Sequence, residues 1–292
     1  MLDTTTDDLL KRVRRVEIKT RARAAGIFAG EYHSAFKGRG MSFAEVREYR
    51  VGDDVRDIDH NVTARLGDPY VKVYEEERSL TVMLVVDVSG STDFGTTEGS
   101  VRLLLAELAA TLAFSAGRTG DKVGLLLYAK GAPLYLPPGK GRSHTLRIIR
   151  SLLQYTPEER GTDLSAALEM LMRLQRKRSV VFVLSDFVGE LSYADALRRL
   201  ARRHDVAAIR VYDGRTAQLP DVGLMRVCDA ETGRSMMLDT SHSGVRAAYE
   251  GWWQQHAAEL DDLMKRSGVD YVAVRNGDDY VRALMRLFAR RS

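Results

Sequence analysis

From Thr81 onward the chain alternates between two hydrophobic patterns. Short apolar runs rich in β-branched residues occur at Thr81 to Val86, Val123 to Tyr128, Val180 to Ser185, Val206 to Tyr212 and Val269 to Val274. Runs of that length, bounded by polar residues, predict buried strands. Between them lie segments with helical spacing. Val101, Leu104, Leu105, Leu108 and Leu112 open the series, followed by His144 to Tyr155, Leu164 to Arg176, Tyr193 to Arg203, Val245 to Lys265 and Asp278 to Arg290. Strands alternating with helices predict an α/β fold whose doubly wound, mostly parallel sheet is covered on both faces. Two short strands flanking Ala230-Glu231-Thr232-Gly233 predict a β-hairpin near 223–239.

Ahead of Thr81 the pattern changes. Asp7 to Ala25 sets Leu9, Leu10, Val13, Val16 and Ile18 among seven Lys and Arg residues, which predicts a basic amphipathic helix. Such a helix can lie on anionic membrane or nucleic acid. Its stripe has no Trp or Phe anchor, so packing on its own domain is expected instead. Residues 26–80 are punctuated by glycine and predict irregular structure with short strands, Tyr70 to Tyr74 being the clearest. The expected organisation is therefore 1–80 as an N-terminal helix with a small irregular, β-rich extension, and 81–292 as the α/β domain carrying the hairpin.

Composition narrows the class of protein. A chain of 292 residues, 45% hydrophobic and 29% charged, reads as soluble and globular. Its 44 basic and 40 acidic residues leave a net charge of +4, too mild to imply a nucleic-acid partner. The single Cys228 excludes an internal disulfide, and its place in a predicted strand suggests a buried structural thiol. No apolar run approaches the length of a membrane span, and the N-terminus lacks a signal-peptide layout. The cytoplasm is the expected address. The basic loop Pro137-Pro138-Gly139-Lys140-Gly141-Arg142 lacks the form that cradles nucleotide phosphates, so the chain is not expected to be an ATPase.

The chemistry concentrates at three strand ends. Asp87-Val88-Ser89-Gly90-Ser91 follows the first apolar strand, Gly161-Thr162-Asp163 precedes a helix, and Asp186 closes the Val180 to Ser185 strand. A carboxylate and two hydroxyls spaced two apart are hard oxygen donors suited to Mg²⁺. In open α/β sheets, ligands bind at the carboxyl ends of the strands. The ordinary alternative is that Asp87 and Ser89 cap a helix and that Thr162 is an N-cap.

These pieces resemble the metal-ion-dependent adhesion site of von Willebrand factor A domains. The resemblance implies Ser89, Ser91 and Thr162 as direct hydroxyl ligands of Mg²⁺ or another divalent cation, with Asp87 and Asp186 acting mainly through water. Asp163 matches the same pattern but is equally placed to cap the following helix. A second resemblance covers the chain from about Gly38 to its C-terminus. Phe43 to Asp59, Ala64-Arg65, Glu75 to Arg78, Tyr212 to Arg215, Leu219 to Gly223 and Asp229 to Gly233 are similar to the bacterial family called domain of unknown function fifty-eight. Its members carry a von Willebrand factor A-like domain and are commonly encoded with MoxR-type AAA+ ATPases. That implies a protein partner, either a MoxR-type ATPase or its client.

Two other clusters bear on function. Asp53, Asp54, Asp57, Asp59 and His60 suggest a metal site, but Arg47, Arg50, Arg56 and Arg65 are at hand to pair the carboxylates. Ion pairs fixing a loop are expected there. The main site also admits an enzyme reading, a Mg²⁺-dependent phosphatase or nuclease. Against it, Ser89 stands where haloacid dehalogenase-type phosphotransferases carry a second Asp, and no His or Glu is near the Asp87 loop in sequence to serve as base. A non-catalytic, metal-dependent protein-binding module is the expected function.

Overall fold

The computed structural model of the chain describes residues 13–20, 41–76, 80–96 and 99–291. The described residues divide into two compact units, 41–76 in one and the remainder in the other. Helix α1 (residues 13–20) belongs to the larger unit, not to the extension with which the sequence grouped it. Its Val16 is buried against Ala110 and Ile149. Two ion pairs fasten it there, Lys19 to Glu107 at 2.6 Å and Arg142 to Glu17 at 2.7 Å. The rest of the helix expected over 7–25 lies outside the described residues.

The smaller unit pairs β1 (Met41–Glu48) antiparallel with β2 (Tyr70–Glu76), with a bulge between Phe43 and Glu45. Between them, α2 (His60–Leu66) occupies a segment expected to be irregular. Asp59 starts this helix by accepting from Asn61 N at 2.9 Å and Val62 N at 3.2 Å, and Gly67 ends it in the left-handed region. Among the described residues the expected Arg–carboxylate pairing is seen at Asp53, which takes both Arg47 guanidinium nitrogens at 2.8 Å. Asp54 instead caps the turn Val55–Asp57, and Asp59 pairs with Lys72 at 3.5 Å. Short acidic side chains satisfy backbone N–H groups as readily as they meet an Arg.

Among the described residues, the larger unit is built on a six-stranded sheet. It contains β3 (Thr81–Asp87), β6 (Lys122–Tyr128), β7 (Leu134–Gly139), β8 (Val180–Ser185), β9 (Asp205–Tyr212) and β12 (Asp270–Arg275). The order is β12-β9-β8-β3-β6-β7, parallel except for β7 on the edge. The prolines expected to lie in a loop, Pro137 and Pro138, stand in this edge strand, where a missing N–H disrupts no inner ladder. Two-residue strands β4 (Gly95–Thr96) and β5 (Gly99–Ser100) form a separate pair. So do β10 (Leu224–Cys228) and β11 (Ser235–Asp239), which make the predicted hairpin. Cys228 is exposed rather than buried, because this hairpin is not part of the six-stranded sheet.

Period-2 alternation along β3 explains the layering. Val82, Leu84 and Val86 face a cluster with α3 (Val101–Arg118), α4 (Arg142–Gln154) and α9 (Tyr280–Ala289). Met83 and Val85 face α5 (Leu164–Leu174), α6 (Ala194–Arg203) and α8 (Ser243–Ser267). Gly214–Ala217 makes one further short helix, α7. A fully buried side chain of this size contributes roughly 1.5–3 kcal/mol, so the core strand is held from both sides. The chain leaves β3 for β6 on one side and later returns to β8 on the other. That reversal opens a crevice at the carboxyl ends of β3 and β8.

Candidate functional site

Asp87 ends β3 at 1% exposure, and both of its oxygens are occupied. Oδ1 accepts from the Ser89 amide at 2.9 Å. Oδ2 accepts from the Ser185 hydroxyl at 2.6 Å and the Tyr128 hydroxyl at 3.4 Å. One carboxylate therefore ties together the ends of three neighbouring strands, β6, β3 and β8. Burial pushes its pKa up, and these donors pull the other way.

The loop that follows turns its hydroxyls inward. Ser89 sits where a cap would be, yet its side chain caps nothing; its carbonyl takes the Thr92 amide at 3.1 Å and hydroxyl at 2.7 Å. The Ser89 and Ser91 hydroxyl oxygens stand 3.0 Å apart, with Ser89 buried. On the second loop the capping role falls to Asp163, which accepts from Ala166 N at 2.9 Å. Thr162 is thus freed from capping, and its hydroxyl donates to Glu231 at 2.9 Å.

Asp186 comes from the third loop at 7% exposure and accepts from Val188 N at 3.1 Å, and the nearby Ser91 hydroxyl favours its charged form. Burial, and next the charge of Asp87, push its carboxyl up to about 7. The following residue, Phe187, has φ 52°, a conformation a bulky aromatic rarely adopts. Three contacts hold it there. His256 Nε2 lies 2.7 Å from the Phe187 carbonyl, which only accepts, so this nitrogen carries the proton. Arg210 Nε donates to the Asp186 carbonyl at 3.2 Å, and the Phe187 ring is buried beside Tyr193. Arg210 is itself stacked 4.5 Å over Trp253. Strain of this kind persists where the surroundings over-determine it.

The structure places Asp87, Ser89, Ser91 and Asp186 at the carboxyl ends of β3 and β8, and Thr162 reaches them by way of Glu231, whose neighbour Ala230 lies against Gly90. It adds others that the sequence did not single out, namely Tyr128, Ser185, Arg210, His256 and Glu231. The donor set fits a hard divalent cation. Its oxygens are neutral hydroxyls and buried carboxylates, and the charges of Asp87 and Glu231 both raise the pKa of Asp186. A positive ion would relieve that repulsion. Among the described residues no three His, Cys, Asp or Glu side chains form a cluster that could hold a metal ion by themselves.

A family model described as "Protein of unknown function DUF58" matches residues 45–259. An uncharacterized protein of Mycobacterium tuberculosis is 33% identical over 97% of this chain and 90% of its own length. An uncharacterized Mycobacterium avium protein is 30% identical over 53% of this chain and 93% of its own. Similar solved structures include BatB from Bacteroides thetaiotaomicron, with 19% identity, 73% of this chain and 98% of that chain covered, and a TM-score of 0.47. The SpRpn10 VWA domain is similar at 11% identity, with 73% and 95% covered and a TM-score of 0.38.

Proposed function

The chain belongs to the DUF58 family, and on that premise we propose that it is a non-catalytic, metal-dependent protein-binding module. Ser89, Ser91 and Thr162 would hold Mg²⁺ or another divalent cation through their hydroxyls. Asp87 and Asp186 would act mainly through water. When bound, the ion supplies a partly neutralised charge with an open position that favours a carboxylate. The observation that carries this reading is the Ser89–Ser91 pair, two hydroxyl oxygens 3.0 Å apart beside the buried carboxylates of Asp87 and Asp186.

The chain's own residues perform binding and positioning. Asp87 is held rigid by three donors, which suits an anchor better than a nucleophile needing a free oxygen. His256, whose imidazole touches the Asp186 loop, is committed to the Phe187 carbonyl and is not poised as a base toward a substrate. The partner's contribution is an Asp or Glu side chain. The family resemblance makes a MoxR-type AAA+ ATPase or its client the partner of choice, with this chain as adaptor or co-chaperone.

Among the described residues no helix is long and apolar enough to cross a membrane. Affinity capture of partners from native lysate, with Mg²⁺ or with EDTA, tests the proposal. Partners retained with Mg²⁺, and lost with EDTA and in Asp87→Ala, support it. Metal-independent capture opposes it. Phosphoester turnover that vanishes with Asp87→Ala would install a Mg²⁺-dependent hydrolase in its place.

A further inference from the structure

Glu231 lies at the turn of the β10–β11 hairpin, far in sequence from every loop of the site, yet its carboxylate is inside it. One oxygen accepts from the Thr162 hydroxyl at 2.9 Å. The Ser89 hydroxyl is near enough to favour the charged form of the same carboxylate, and that charge is felt at Asp186. It therefore bonds one candidate hydroxyl ligand, Thr162, while its hairpin lies against the loop that carries the other two.

The hairpin is built to hold Glu231 in this place. Its turn is braced by Asp229, whose carboxylate takes the Glu231 amide at 2.9 Å and the Thr232 hydroxyl at 2.5 Å. Gly233, with φ 72°, closes the turn by donating to the Asp229 carbonyl at 2.8 Å. Seating against the metal loop depends on Gly90. A Cβ there would stand 3.1 Å from the Ala230 carbonyl oxygen, tighter than a comfortable contact. The residue between the two candidate serine ligands thus lacks a side chain where the hairpin backbone presses on it.

We propose that Glu231 is a resident carboxylate of the metal site, supplied by the hairpin to the position a partner's acidic side chain would take. This rests on the metal-binding reading above and extends it. The isolated module is self-capped, and partner binding requires Glu231 to give way, which couples hairpin displacement to recognition. Only differential affinity of the partner for the displaced state can drive that exchange.

Mn²⁺, a hard paramagnetic substitute for Mg²⁺, provides the test on the full chain. Its affinity and its number of exchangeable bound waters are read by magnetic-resonance titration and water-proton relaxation. Wild type, Glu231→Ala, Glu231→Gln and Ser89→Ala are compared, and acetate serves as the probe carboxylate. The expected results are about a tenfold or greater loss of Mn²⁺ affinity in Glu231→Ala, at least one additional exchangeable water, and acetate binding to the Mn²⁺-loaded variant but not to wild type. Glu231→Gln, which keeps size and a hydroxyl acceptor but loses charge, should resemble Glu231→Ala in affinity. Unchanged affinity and water number in Glu231→Ala, with binding still abolished by Ser89→Ala, would overturn this proposal and leave the metal reading intact. Wild type that binds no Mn²⁺ would overturn both.

Discussion

The Ser185 hydroxyl donates to Asp87 Oδ2 at 2.6 Å and accepts from the Phe187 amide at 2.9 Å. Two site loops are thereby linked through one oxygen. Ser185→Ala leaves Asp87 short of a donor and the buried Phe187 amide without its acceptor. The expected cost is about 1–3 kcal/mol in denaturant unfolding. Mg²⁺ affinity should fall by roughly ten- to a hundredfold, the usual effect of removing a group that orients a ligand. Unaltered stability and affinity would show that Asp87 is positioned by Ser89 N and Tyr128 alone.

His256 supports the same loop from α8. His256→Leu keeps the bulk but removes the donor to the Phe187 carbonyl. Phe187 is then expected to relax from its φ of 52° toward an ordinary conformation, shifting Asp186. Loss of about 1–3 kcal/mol, with weaker Mg²⁺ binding, is the predicted outcome in melts and calorimetry. Unimpaired metal binding would mean that Arg210 holds the loop without it.

The fold was legible from periodicity, because strands buried on both faces leave continuous apolar runs and helices leave a three-to-four spacing. The edge strand β7 was not, since Pro137 and Pro138 argue against a strand unless its edge position is known. Helix α2 was hidden for a similar reason. Its seven residues carry no buried stripe and depend on the Asp59 cap. The five candidate ligands were readable because each follows a strand end or precedes a helix. Glu231 could be seen as a turn residue, but its arrival beside Thr162 is a contact across 69 residues that no local pattern encodes.

His204 provides a pH signature separate from the site. It is buried at 2% exposure, and neither ring nitrogen has a hydrogen-bond partner among the described residues. Burial lowers its pKa from 6.5 to about 4. Between those values only the unfolded chain takes the proton, so this contribution is complete above pH 6.5 and is lost as pH falls toward 4. The loss is on the order of 3 kcal/mol. Melting curves of wild type and His204→Leu should diverge on acidification, the wild type falling more steeply. Parallel curves would assign His204 an ordinary titration.

The central claim is that hydroxyls at the end of β3 hold a divalent cation, and calorimetric titration of Mg²⁺ into wild type and Ser89→Ala tests it most directly. The account predicts one Mg²⁺ per wild-type chain and none for Ser89→Ala, with the variant's melting temperature within a few degrees of wild type. Equal Mg²⁺ affinity in both proteins, or no binding by the wild type, would contradict it.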